Sequence, residues 1–495
     1  SSCSNDVVVV VPSRALINEY FDRLNHIVNI KEVNVLTFVD QINTKHAHRN
    51  IFILTPERAR ELFKNRDWLK FDLILFDEAQ LSDEHSVRGL YFDSIVRRAL
   101  KYFPDAKFVF AHPFIENPEA QLQKNGIDLI DTTSAYSNYE LKNVGQIFYT
   151  HDTTAQKFYH FGSDPKVLGM NKLEASFDPI ETALKKGGSV LIYVPKSHIY
   201  SKEIYSQFQK YISMCPPINN PIALKMINEL KDYIGASTTD KFYYNSDMLE
   251  KLSCGIVIHH GSMPLTARLL LEHFTQQGFC KICFATSTLE QGINMPFDVV
   301  YLDRFEESKT LSVKNLIGRA GRSTSKPEFD YGSVILRPNA MSRFRKVYRK
   351  KNVLSSKSRL DITDDKMDEK YEEYKEAINT GDFSDEYNLT NKDLEKLKSD
   401  SVTTIVPTLL DMMFNGSDFV LPNTVAKEVY EDFQCLYKQY LGRDLTAAEK
   451  FVFDSAIKIM IWKANGKTFS KICQERYAYV SKVSERRFLS KTGHQ

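Results

Sequence analysis

Two carboxylates and two arginines, far apart along the chain, are the groups best suited to chemistry. Asp77-Glu78-Ala79-Gln80 follows the apolar run Phe71-Asp72-Leu73-Ile74-Leu75-Phe76. Such a run makes a strand buried on both faces of a parallel sheet. The acidic pair therefore falls at a strand's carboxyl end, where open α/β sheets place their ligands. There Asp77 can hold Mg²⁺ on a nucleotide and Glu78 can orient an attacking water. Asn315-Leu316-Ile317-Gly318-Arg319-Ala320-Gly321-Arg322 adds two guanidinium groups, with Gly318 and Gly321 permitting a tight turn. A guanidinium fork suits the charge on a transferring γ-phosphoryl group and is worth on the order of 10³-fold in rate. Each string has a bland alternative, a surface turn for the first and surface ion pairs for the second. Together they point to a nucleotide clamped between two domains.

The hydrophobic pattern supplies elements to hold these groups. Strand patterns at Val7–Val11, Ile51–Leu54, Leu73–Phe76 and Lys107–Phe110 alternate with helical patterns at Ala15–Asn25, Glu57–Phe63 and Val87–Tyr102. That alternation predicts a parallel α/β sheet. It recurs at Ser189–Val194, Gly255–His259, Lys281–Ala285, Val299–Leu302 and Ser333–Leu336, with a helical and loop insertion between Ile199 and Met248. Strand signals fade after Met341, and the dense charge of Asp361–Lys398 reads as a solvated helix pair or hairpin. Beyond it, Leu409, Met412, Met413, Phe451, Phe453, Ile457, Ile459 and Trp462 mark amphipathic helices. The expected organisation is a sheet domain over 1–145, a second over 146–340 and a helical region over 341–495. Val7–Val11 reads as a central strand needing neighbours on both sides, so the chain is expected to begin inside its first domain.

The 495 residues carry a formal charge of only +2, so nucleic-acid contact must come from local basic patches and not a global field. Apolar residues at 42 % and charged residues at 26 % fit a globular protein. Seven cysteines at 3, 215, 254, 280, 283, 435 and 473 form no disulfide-like framework, which indicates a reducing compartment. Cys280 and Cys283 have zinc-ligand spacing, but no second Cys/His pair lies nearby, so core packing is favoured. No run approaches the length of a membrane helix, and no signal peptide is visible.

Taken in order, these strings resemble the superfamily 2 helicases, most of all their superkiller-type DExH branch. Val11-Pro12-Ser13-Arg14-Ala15-Leu16 resembles motif Ia, Thr55-Pro56-Glu57-Arg58 motif Ib, and Asp77-Glu78-Ala79-Gln80 motif II. Arg88-Gly89 resembles a pair characteristic of that branch, and Val190–Pro195 resembles motif IV. His259-His260-Gly261-Ser262-Met263-Pro264 with Arg268 resembles the H-H-x-x-x-P…R signature of the second domain. Ala285–Pro296, containing Thr286, Thr288, Gly292 and Asn294, resembles motif V, and Asn315–Arg322 resembles motif VI. The resemblance spans roughly residues 5–338. It implies two tandem RecA-like domains, the first N-terminally incomplete, followed by helices.

Three departures stand out. No G-x-x-x-x-G-K-[ST] phosphate loop occurs; Gly466-Lys467-Thr468 has Ile461 where the earlier glycine belongs, and lies in a helical pattern. Ala111-His112-Pro113 replaces the usual Ser-Ala-Thr of motif III, and Asn315 replaces the Gln that opens motif VI. Gln80 in place of His is milder, since an amide both donates and accepts.

The resemblance implies an ATP- and Mg²⁺-dependent helicase or translocase moving 3′→5′ on a single strand or tailed duplex, with DNA favoured over RNA. Asp77, Glu78, Arg319 and Arg322 are the expected catalytic residues, with Gln80, Gly292, Asn294 and Asn315 also at the nucleotide. Pro12, Arg14, Thr55, Arg58, His260, Gly261, Thr286 and Thr288 are expected on the nucleic acid, and the helical region is a site for a protein partner. The expected place is the cytoplasm, or the nucleus in a eukaryote, and the expected role is microbial genome maintenance or anti-phage defence. That activity is expected of the full-length parent; the alternative is that this chain is a P-loop-less fragment or pseudo-helicase that binds nucleic acid or a protein partner without hydrolysis. A nuclease reading built on Asp364, Asp365 and Asp368 is disfavoured for want of strand context.

Overall fold

The computed structural model describes residues 5–29, 32–39, 49–127, 134–137, 145–166, 168, 173–201, 203–234, 247–261, 263–286, 295–321, 331–362 and 369–482. Two compact units emerge. The first runs to Leu224, resumes at Met248 through Gly381 and includes Asp385–Asn388; the second takes Lys225–Asp247, Asp382–Ser384 and the chain from Leu389.

The first unit contains both parallel sheets. In one, β1 (Asp6–Val10), β2 (Val33–Leu36), β3 (Arg49–Leu54), β4 (Phe71–Phe76) and β5 (Lys107–Phe110) lie in the order β2-β3-β1-β4-β5, all parallel. Successive valines of β1 point to opposite faces. Val9 packs with Ile17, Val35 and Ile53, while Val8 and Val10 join Phe52, Leu54, Ile74, Phe76, Phe92 and Ile95. The neighbours β1 requires are β3 and β4, both from downstream, so its burial says nothing about residues before it. The helices are α1 (Arg14–Ile27), the single turns α2 (Pro56–Ala59) and α3 (Glu61–Lys64), α4 (Val87–Tyr102) and α5 (Glu119–Lys124). Ser13 and Ser86 cap α1 and α4 by accepting the Leu16 and Gly89 N–H groups.

The second sheet comprises β6 (Gly145–Asp152), β7 (Lys157–Phe161), β8 (Leu173–Glu174), β9 (Val190–Tyr193), β10 (Ile256–His259), β11 (Ile282–Ala285), β12 (Val299–Leu302) and β13 (Tyr331–Leu336). Its order is β10-β11-β9-β12-β13-β6-β7-β8; the run from β10 to β6 is parallel and β6-β7-β8 antiparallel. α6 (Pro179–Lys185) precedes β9, and the insertion before β10 folds as α7 (Lys196–Tyr200), α8 (Glu203–Gln207), α9 (Gln209–Ile212), α10 (Pro221–Ile234) and α11 (Asp247–Leu252). α12 (Leu265–Gln276), α13 (Thr310–Ile317) and α14 (Met341–Arg349) complete the surround. Cys280 and Cys283 are buried at the base of β11. These are two tandem RecA-like sheets, and a helical region follows.

After α14 the chain crosses back to the first sheet. Glu116 N–H bonds to the Asn352 carbonyl at 3.0 Å, and Asn117 exchanges hydrogen bonds with the backbone of Leu354. Ser358 Oγ and Arg359 N–H both donate to the buried carboxylate of Asp93 on α4, at 2.5 and 2.8 Å. The charged stretch that reads as solvated is therefore partly captured. Asp361 takes Arg97, while Asp385 takes Arg98 and Arg66, and Tyr374 of α15 (Glu369–Thr380) meets Ser94 at 2.7 Å. Charge pattern alone could not reveal partners so distant in sequence.

In the second unit, α16 (Asn391–Leu397), α17 (Asp400–Met413), α18 (Lys427–Leu441), α19 (Ala447–Ala464) and α20 (Phe469–Lys482) are helical. Their core joins Leu421, Ile457 and Ile461 to Met413, Phe419 and Phe453. Gly466-Lys467-Thr468 is not within a helix, as the pattern predicts, but turns between α19 and α20. Gly466 sits at φ 77°, and Lys467 binds Glu475 and covers the Trp462 ring. Preceded by a helix and not a strand, it has no phosphate-loop geometry.

Gly89 lets the turn before α4 close. A Cβ there would lie 2.3 Å from the Glu84 carbonyl oxygen and 2.9 Å from that of Leu81. Gly89→Ala is expected to cost about 1–3 kcal/mol in chemical denaturation; an unchanged midpoint would contradict this packing.

Candidate active site and nucleic-acid interface

The carboxyl edge of the first sheet gathers the acidic pair. Asp77 N–H bonds to the Val10 carbonyl at 2.9 Å, and Ala79 N–H to that of Ala111 at 2.9 Å, so motif II is pinned between the ends of β1 and β5. Glu78 is held at φ 54°, ψ 42°, a left-handed conformation costing about 1–3 kcal/mol for a residue with a side chain. Its carboxylate accepts from the Gln80 amide, which explains how Gln serves where the family has His. Asp77 accepts from the Glu78 N–H at 3.0 Å and from the Tyr20 hydroxyl of α1 at 3.2 Å. Burial pushes the Asp77 carboxyl above its ordinary value, against the pull of those two hydrogen bonds. Tyr20, half-buried beside that carboxylate, is pushed up to about 12, first by burial, and stays a donor. Nothing in its sequence surroundings marks Tyr20, since the pairing is tertiary.

The arginine turn sits at the edge of the second sheet. Phe297 N–H bonds to the Arg319 carbonyl at 3.1 Å, and Gly321 N–H to the Phe297 carbonyl at 2.7 Å. Gly321 has the positive φ of 78° that the turn needs; Gly318 keeps helical geometry. Gly332 on β13 lets the turn seat, because a Cβ there would lie 2.2 Å from the Ala320 carbonyl carbon. Arg319 is buried and Asn315 half-buried on α13. Arg322, Gly292, Asn294 and Thr288 lie outside the described residues, as do Asp364, Asp365 and Asp368.

A contact from the motif III loop links the two sheets. Phe114, at φ 57°, reaches Gly318, its ring carbon 3.6 Å from where a Cβ would stand. It follows Ala111, which is bonded to motif II through Ala79. His112 bonds Gln121 at 3.4 Å, and burial lowers its pKa. The residues between Asp77 and Arg319 thus form a continuous chain of contacts through Ala79, Ala111 and Phe114.

The nucleic-acid residues are held less uniformly. Pro12 is buried, and its carbonyl accepts from Arg88 of α4, whose guanidinium also meets Glu57 at 3.3 Å. Arg14 is exposed at the start of α1. Arg58 bonds the Thr37 carbonyl at 3.0 Å and stacks 3.8 Å above Phe38, so the loop after β2 presets it. Thr55 is buried ahead of α2, a single turn with Pro at its first position. Thr286 is buried, Gly261 is exposed, and His260 is half-buried with its pKa lowered, first by burial and then by Lys196, His259 and Arg268.

Comparison with known proteins agrees with the geometry. The DEAD/DEAH box helicase family matches residues 2–111. The chain is 24 % identical over 335 residues to the ATP-dependent DNA helicase Hel308 of Pyrococcus horikoshii, covering 65 % of this chain and 42 % of that protein. It is 23 % identical over 346 residues to the DExH-box ATP-dependent RNA helicase DExH13 of Arabidopsis thaliana, covering 66 % of this chain and 15 % of that protein. Over these stretches the chain is similar to superfamily 2 DExH helicases. A shorter stretch of 146 residues is 30 % identical to the Hachiman protein HamB of Bacillus cereus, covering 28 % of this chain and 13 % of that protein. The chain spans less than half the length of these relatives.

A half-buried carboxylate at a strand end fits the magnesium of a nucleotide. Among the described residues no group of three or more His, Cys, Asp or Glu could hold a metal by itself, so phosphate oxygens and water would complete the shell. Because the folded-state pKa of Asp77 is raised, the ionised form costs stability above that pKa and costs nothing below the unfolded value of 3.8. Without nucleotide and Mg²⁺, Asp77→Asn is expected to raise the melting temperature near about pH 7, with the gain fading as pH falls through the carboxyl titration. Thermal scans against pH check this; an Asn variant less stable at neutral pH would contradict it.

Proposed function

We propose that the protein is an ATP-dependent nucleic-acid helicase or translocase, moving 3′→5′ along a single strand or the tail of a duplex. The observation that carries this reading is the acidic pair at the end of β4, with Glu78 in a strained backbone and joined through Ala111 and Phe114 to the arginine turn. Mg²⁺·ATP supplies the γ-phosphoryl group and the cation that neutralises it. Asp77 holds that cation, and Glu78 orients the lytic water. Gln80, Gly292, Asn294 and Asn315 contact the nucleotide, while Arg319 and Arg322 take the charge that develops on the phosphoryl oxygens. Pro12, Arg14, Thr55, Arg58, His260, Gly261, Thr286 and Thr288 face the nucleic-acid backbone, a sequence-independent and salt-sensitive mode of binding. Arg58, preset by Phe38, and the exposed Arg14 are the side chains best prepared for phosphate.

DNA is the preferred substrate, a choice supported by the name of the Pyrococcus relative; the Arabidopsis relative's name supports RNA. We assign the sheet domains to 1–145 and 146–340, and the helical region, with any protein partner, to 341–495. The setting is intracellular, in microbial genome maintenance or defence against phage. No described helix is long and apolar enough to cross a membrane.

A second reading has one observation in its favour. The 495 residues contain no G-x-x-x-x-G-K-[ST] string, so the chain by itself would be a nucleic-acid or protein binding module. Glu78→Gln separates the two. In the ATPase reading it abolishes turnover yet leaves nucleotide binding largely intact, because only the water-orienting carboxylate is lost. Turnover near that of the unaltered protein would sink the assignment.

A further inference from the structure

Two side chains at the carboxyl edge of the second sheet, Tyr200 and Lys196, stand beside His260 and have no role in this reading. β10, β11 and β9 are neighbours there, and α7 begins just past the end of β9. Tyr200, the last residue of α7, is 47 % exposed, and its ring centroid lies 5.7 Å from that of His260, which follows β10. Lys196 places its ammonium 5.5 Å from the Tyr200 centroid, and no residue of α7 is buried. Tyr200 therefore contributes nothing to the core beneath it. The lowered pKa of His260 keeps its ring neutral near pH 7, an aromatic face and not a second cation.

We propose that Tyr200 and His260, flanked by Lys196, form a stacking platform for a nucleobase of single-stranded nucleic acid. The inference rests on the nucleic-acid reading above and deepens it. Among the described residues, the cation set against the Tyr200 ring is the Lys196 ammonium, beside two aromatic faces, while the Arg268 guanidinium acts on His260. Aromatic faces with an adjacent cation are what unstacked bases bind, with little regard to sequence. Bases within a duplex are already stacked and offer no face to such a platform.

The test is fluorescence-anisotropy titration of labelled strands of roughly 12 nucleotides, in two unrelated sequences and as duplex, across a salt series. The proteins compared are unaltered, Tyr200→Ala, Tyr200→Trp, Lys196→Ala and Arg14→Ala. Tyr200→Ala should weaken single-strand binding by about 5- to 100-fold with an unchanged salt slope, while Tyr200→Trp retains affinity. Lys196→Ala should reduce the slope by about one, and Tyr200→Ala should leave duplex binding unchanged. If Tyr200→Ala binds single strands normally while Arg14→Ala does not, the platform is wrong and the backbone reading stands. Equal losses on duplex and single strand, or a slope lowered in Tyr200→Ala, overturn the stacking role. An unaltered protein that binds no strand removes both readings.

Discussion

The hydrogen-bond ladder of each parallel sheet does not stop where its strands do, and the sites depend on that overrun. In the first sheet, Val11 bonds to Leu54, Asp77 to Val10 and Ala111 to Phe76, each at 2.8–2.9 Å. The second repeats the device, with Val194 bonded to Ala285, Thr286 to His259 and Asp303 to Tyr193. One further residue of pairing fixes where each loop leaves its strand. Side chains distant in sequence then emerge in one row, on backbone too constrained to wander. Unpaired backbone groups at these ends would cost more than the pairing does, so the arrangement comes with the sheet itself. Strain is added at Glu78 and, past β5, at Phe114, both held in left-handed backbone where a side chain must be aimed and not merely anchored.

α4 distributes this rigidity. Its first turn carries Arg88, tied to the Pro12 carbonyl and Glu57, so the segment after motif II is fastened to the loop after β1 and to α2. Further along, Asp93, Arg97 and Arg98 receive the strand that returns from α14. Asp93 and the Arg98–Asp385 pair are buried, and removing one partner of a buried pair typically costs about 3–5 kcal/mol. That attachment is therefore part of the first sheet's stability, not an ornament on its surface.

Much of this was legible in the sequence. The two sheets announced themselves through β-branched runs, and the acidic pair through its place after one of them. What pattern could not give was anything decided by tertiary pairing. β2 is only four residues long, and β6 and β7 mix apolar with polar residues on a hairpin, so none carries a clean period. Tyr20, Phe114 and Phe38 acquire their roles from partners on other elements. Asp361 and Asp385 looked like solvated charge because their arginines lie in a helix much earlier in the chain.

The central claim is that ATP hydrolysis at the acidic pair drives motion along a nucleic-acid strand. Phosphate release, followed together with displacement of a labelled strand from duplexes bearing either a 3′ or a 5′ tail, tests it most directly. The account requires hydrolysis that rises on addition of single strands and displacement confined to the 3′-tailed substrate. Hydrolysis indifferent to nucleic acid, or strand displacement that proceeds without ATP, would contradict it.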